Sequence, residues 1–168
     1  MVASGSVLRE VTWRACAATV ATFMALAAYV QKNDPDAALW MVVYVCPSLL
    51  SLMVAISPSS TGHHVWRSLA GFHCSVCLVG AALIGIHMYM AGQPITLLQE
   101  EQGRELGGLL LVVLWLALCH GSHDRPGGGD ARLVLAGIFA VLPILAWCHV
   151  HYNKSIQARA PAHCKHSL

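Results

Sequence analysis

Residues 31–56 read QKNDPDAALWMVVYVCPSLLSLMVAI. A short stretch rich in charge and turn formers gives way to a run, Ala37–Ile56, that holds no charged side chain. A helix needs about 20 apolar residues to cross a bilayer core, and this run has that length. The stretch before it predicts a tight reversal. Asp34 suits the N-cap, Pro35 the first helical position, and Asp36 adds a second acid to the first turn. The run also contains Pro47. Inside a helix that ring kinks the axis and leaves a backbone carbonyl without its donor, so a neighbouring helix or Ser48 must supply one.

Working outward, four more apolar runs appear, at 12–30, 68–90, 106–119 and 133–150. Pro58-Ser59-Ser60, Gly92-Gln93-Pro94 and Pro126-Gly127-Gly128-Gly129 fall in the breaks between them, as loops require. The expectation is an all-α fold: one polytopic membrane bundle of about five transmembrane helices over residues 1–168, with a mobile polar tail at 153–168. Composition agrees. The 168 residues are 57% hydrophobic and 11% charged, against about 25% charged in a soluble domain. Mean hydropathy is +0.61. The first run is long enough to span and lacks a clear cleavage site, so it reads as a signal anchor.

Some details carry specific expectations. Ala17, Ala21, Ala25 and Ala28 form a small-residue stripe that lets another helix approach closely. Trp66 and Arg67 read as an interface anchor for the third span. The fourth run is short. Residues 95–105 therefore read as a short interfacial helix leading into it, with Glu100 paired to Arg104, and the run crosses only if Arg104 and Glu105 sit at headgroup level or the bilayer thins locally.

Five crossings put the termini on opposite faces. On the N-terminal face, side A, lie Arg9, Arg14, Arg67, Arg125 and Arg132; on side B lie Lys32, Arg104, Lys154, Arg159 and Lys165. Basic residues balance, while acids do not. Asp34, Asp36, Glu100, Glu101 and Glu105 fall on side B, and His87, His149 and His151 approach the same face. Asp36, Trp40 and Tyr44 follow one another at four-residue steps and share a helical face. With Asp34, Glu101, Arg104 and Glu105 they form a candidate polar site at the membrane edge, where charge is costly unless paired or wet.

Other chemistry is excluded or weakly signalled. A net charge of +2 without a basic block argues against nucleic acid. No H-E-x-x-H, G-x-S-x-G or P-loop pattern appears. Cys74 and Cys77 form a C-x-x-C in mid-span without a second such pair, which reads as helix packing.

The residues carry a family resemblance. Gln31-Lys32-Asn33-Asp34-Pro35-Asp36 followed by Trp40, Tyr44 and Pro47 resembles the transmembrane protein 220 family. Trp13-Arg14-Ala15-Cys16, Glu100-Glu101-Gln102-Gly103-Arg104-Glu105-Leu106, Trp115 with Cys119-His120, Asn153-Lys154 and His163-Cys164-Lys165 extend the likeness over nearly the whole chain. The resemblance implies a small multi-pass membrane protein and brings no activity with it.

Three function classes follow. The reading that small size favours is a non-catalytic scaffold or regulator, with the lipid bilayer and other membrane proteins as partners and no cofactor. A second is a transporter or membrane-embedded enzyme with a cation or polar-substrate site on side B, for which His87, His149 and His151 are candidate metal ligands. A third is a bis-His b-type haem protein. His73 and His87 lie about 40° apart around a helix and about 21 Å apart along it, with His120 on side A and His149 or His151 on side B as opposite ligands. The expected location is a eukaryotic endomembrane or the plasma membrane.

Overall fold

The computed structural model describes residues 2–92, 101–121 and 130–152. These form five helices: α1 (Val2–Val30), α2 (Ala37–Ile56), α3 (His64–Met90), α4 (Glu101–His120) and α5 (Asp130–Tyr152). Each contains a stretch long and apolar enough to cross a membrane. Among the described residues there is no strand. The all-helical membrane bundle expected from the runs is the fold observed.

Every helix starts at or before its apolar run. α1 begins at Val2 instead of residue 12, because residues 2–11 lack a breaker other than Gly5 and Glu10 pairs with Arg14 across one turn at 3.2 Å. The largest correction concerns α4. Glu101 to Glu105 are its opening turn, not the end of a separate interfacial helix, and residues 93–100 lie outside the described residues. With that turn included, α4 has 20 residues and reaches about 30 Å. Charge at its start had hidden a span of full length. The expected Glu100–Arg104 pair and the tail at 153–168 also lie outside the described residues.

The reversal between α1 and α2 differs in detail from its sequence reading. Gln31–Asn33 continue α1 as a 3-10 turn, and Asp34 is extended at φ −80, ψ 151, the conformation that a residue before proline prefers. Helix α2 then restarts at Ala37 with Asp36, not Asp34, as its N-cap. The Asp36 side chain makes no capping bond; its partner is described below.

α1 packs most extensively on α2 and also lies against α5; α3 lies along α4 and touches α2; α4 meets α2, α3 and α5. The α1 seam is Ala17, Val20, Ala21, Met24 and Ala28, all buried. Ala25 points outward, because steps of three and four residues keep 17, 21, 24 and 28 on one stripe and carry 25 off it. Near side A the ring of Trp13 stacks on Trp115 at 6.1 Å, and Trp115 meets Phe139 at 6.0 Å. That cluster joins α1, α4 and α5. Trp13 Nε1 is buried with no hydrogen-bond partner among the described residues, a penalty of about 1–3 kcal/mol set against the burial of two indoles. Cys16, Cys77 and Cys119 are buried, in keeping with packing roles.

Candidate functional site

Helix α2 organises the polar interior. Pro47 has no N–H to give the carbonyl of Val43, one turn earlier. His73 of α3 supplies the missing donor: its Nε2 lies 3.0 Å from Val43 O. A carbonyl only accepts, so this nitrogen carries the proton. The expectation that a neighbouring helix must serve the orphaned carbonyl is met by a specific side chain. Ser48, the other candidate, instead donates to Ala21 O of α1 at 2.8 Å.

Two tryptophans complete this belt. Trp115 Nε1 of α4 donates to Ser51 Oγ at 2.8 Å, and the Ser51 hydroxyl donates to Pro47 O at 2.6 Å. Trp66 Nε1 of α3 donates to Leu50 O at 3.2 Å. Trp66 is therefore not an interface anchor. It is fully buried, because α3 begins at His64 and places residue 66 inside the bundle beside the last turns of α2.

Toward side B, α2 carries a second polar set. Trp40 Nε1 donates to Asp36 Oδ2 at 2.8 Å, which is why that carboxylate does not cap the helix. The Trp40 ring stacks on Tyr44 at 6.1 Å and 25°. Tyr44 in turn lies on the backbone of α4 at Gly108. Its hydroxyl occupies the space that a Cβ there would fill, and its Cζ would stand 3.2 Å from that carbon. Glu105 sits one turn before Gly108 and is close enough to act on Tyr44 electrostatically. Tyr44 beside Gly108 and Ser51 beside Trp115 share one offset of 64 residues, so α2 and α4 run parallel in a common register. In that register Glu105 lies between Asp36 and Tyr44 in depth.

The chain matches the family model described as Transmembrane family 220, helix, over residues 23–121. It belongs to that family. The Transmembrane family 220 match takes in α2, α3 and α4 whole, and so both polar sets. A relative, transmembrane protein 220 of Xenopus laevis, is 41% identical over 157 residues, covering 94% of this chain and 84% of the relative. No solved structure matches this member of the family.

Of the residues expected to form the side B site, the structure brings together Asp36, Trp40, Tyr44 and Glu105. Asp34 is half-buried, and its backbone carbonyl accepts from the Ala37 N–H at 3.1 Å. Arg104 is half-buried at the start of α4. The side chain of Glu101 lies outside the described residues. The histidines do not gather: His87 and His149 are exposed, His120 is half-buried at the end of α4, and the His151 side chain is not described. Among the described residues no three His, Cys, Asp or Glu side chains could hold a metal ion together. His73 is held in the α2–α3 seam by the bond of its Nε2 to Val43 O; that nitrogen, protonated and engaged, is not open to a haem iron, which takes one unprotonated imidazole nitrogen.

Sequence reasoning missed Gly108 and Gln102. Gly107-Gly108 inside an apolar run was the available signal, since glycine weakens a helix by about 1 kcal/mol and is retained where something must approach closely. Gln102 Oε1 is buried without a hydrogen-bond partner among the described residues. It lies three residues before Glu105, a spacing that makes the two neighbours on the helix surface.

Proposed function

We propose that this multi-pass membrane protein is a non-catalytic scaffold or regulator that works through its lipid-facing helix surfaces. The observation that supports this is the belt around Pro47. Its side-chain donors bond to acceptors on neighbouring helices or within α2, so the central polar groups hold the bundle together. Photo-crosslinkers placed along the outer row of α3, at Phe72, Val76 and Leu83, and along the outer row of α5, at Val141 and Leu145, test the reading in native membranes. A protein adduct of one fixed mass from one row and not the other is expected. Lipid adducts alone from both rows would overturn it.

One observation favours a second reading, a cation or polar-substrate site on side B. Tyr44 of α2 and Glu105 of α4 lie close enough to interact near that membrane edge, and the buried Gln102 oxygen is one turn from Glu105 on α4, oxygen donors of the kind that hard cations use. Melting curves with Na⁺, K⁺, Mg²⁺ or Ca²⁺ added singly test it. Stabilisation by one cation that is lost in Glu105→Gln supports the site. Identical curves in every salt remove it.

A further inference from the structure

We propose that the flank formed by α4 and α5 thins the bilayer from side B and so favours phospholipids with shorter acyl chains. The uncharged lengths of the helices differ around the bundle. On the flank where α2 and α3 meet, Ala37–Ile56 holds no charged or histidine side chain, and residues 68–86 hold only His73, which is bonded to Val43. Those runs reach about 30 and about 28 Å, close to the hydrocarbon core of a typical bilayer, about 30 Å. On the flank where α5 lies against α4, the uncharged runs are 106–119 and 133–148. They reach only about 21 and about 24 Å.

The register puts the shortfall on side B. In the shared register of α2 and α4, Cys119 stands level with Ala55, so the two runs end together at side A. At side B they part: Leu106 stands level with Val42, about 7 Å deeper than the start of α2 at Ala37. α5 falls short on the same side. The Arg9–Asp130 pair at 2.7 Å places the start of α5 beside Arg9 of α1. The exposed His149 then stands level with Ala28, about 6 Å below Lys32. Just inside it, Trp147 is 55% exposed, and an indole that faces lipid marks the headgroup boundary. Leu114, Ile138 and Leu145 turn outward on the short stretch between the two boundaries. Arg104, Glu105 and His149 stay hydrated only where the hydrocarbon is thinner by about 6–7 Å than beside α2. Every ångström of mismatch costs free energy, so shorter chains fill that flank best.

The full chain in nanodiscs of monounsaturated phosphatidylcholines, with chains of fourteen to twenty-two carbons, tests this. Its melting temperature should peak at fourteen or sixteen carbons. His149→Leu extends the uncharged run of α5 to Val150 and should move the peak at least one step toward longer chains. His87→Leu, at the end of the long run of α3, should leave the peak in place. A peak at eighteen carbons or more, one melting temperature in every bilayer, or a shift in His149→Leu no larger than that in His87→Leu would overturn the proposal. The place of the thinning is read separately. A polarity-sensitive fluorescent amino acid at Leu145 or at Leu83, each about one turn inside the histidine that ends its run, should report equal polarity in the eighteen-carbon bilayer. A distinctly drier Leu145 would mean that the end of α5 sits in an undeformed bilayer, which overturns the proposal as well.

Discussion

Around Pro47 and between Asp36 and Tyr44, the same helix carries two polar sets, and they end on different kinds of acceptor. In the first, His73, Trp66 and Ser51 all deliver their protons to main-chain carbonyls, and Trp115 reaches one through Ser51. Those acceptors cannot ionise or leave. In the second, Trp40 bonds a carboxylate and Tyr44 lies near another. Carboxylates can change charge and exchange partners. Polar groups on one helix thus differ in kind: one set repairs a helix that contains proline, and the other leaves ionisable acceptors at the rim. The acceptor type separates them.

The comparison breaks first at Trp115. Trp115→Ala removes the bond to Ser51 and the ring contacts with Trp13 and Phe139 together. Thermal unfolding in detergent should register a loss of about 3–5 kcal/mol. A loss below about 1 kcal/mol would deny the belt its structural role. Next comes Gly108→Ala, whose new methyl collides with the Tyr44 hydroxyl and should lower stability by about 1–3 kcal/mol. The same substitution in a Tyr44→Ala background should be nearly neutral, because the collision partner is gone.

A double-mutant cycle sharpens the proline argument. His73→Leu leaves the Val43 carbonyl without a donor and should destabilise the bundle by about 1–2 kcal/mol. Pro47→Ala restores an N–H at position 47, so His73→Leu made in that variant should have little further effect. Additive losses would mean that His73 does not compensate for the proline. The smallest effect belongs to the rim. Asp36→Asn keeps the shape of an exposed side chain and should shift melting by less than about 0.5 kcal/mol, in contrast to every substitution in the belt.

The spans were legible because the bilayer demands long uncharged runs, and the need for an outside donor at Pro47 was legible because proline chemistry is local. Which residue would answer that need was not. His73 lies 30 residues from Val43, and the antiparallel register of α2 and α3 decides the match. Trp66 was misplaced for a related reason: at the edge of a run an indole suits the headgroup layer, and only the early start of α3 brings it inside. At the candidate site the four-residue ladder Asp36, Trp40, Tyr44 was readable on one helix. Its meeting with Glu105 required knowing that α2 and α4 run parallel. Glu101 to Glu105 were read as a rim segment because hydropathy counts charge and takes no account of helical continuity.

The contact between α1 and α5 has a consequence for how the chain is made. Arg9 reaches Asp130, and Trp13 shares an aromatic cluster with Phe139. The residues on α5 leave the ribosome about 120 residues after those on α1, which at about 5–20 residues per second is a delay on the order of ten seconds. Throughout that interval the indole of Trp13 and one flank of α1 must rest against lipid, another membrane protein or the translocation machinery. α1 thus meets α2, its largest neighbour, early, while its flank toward α5 is among the last surfaces of the bundle to be covered.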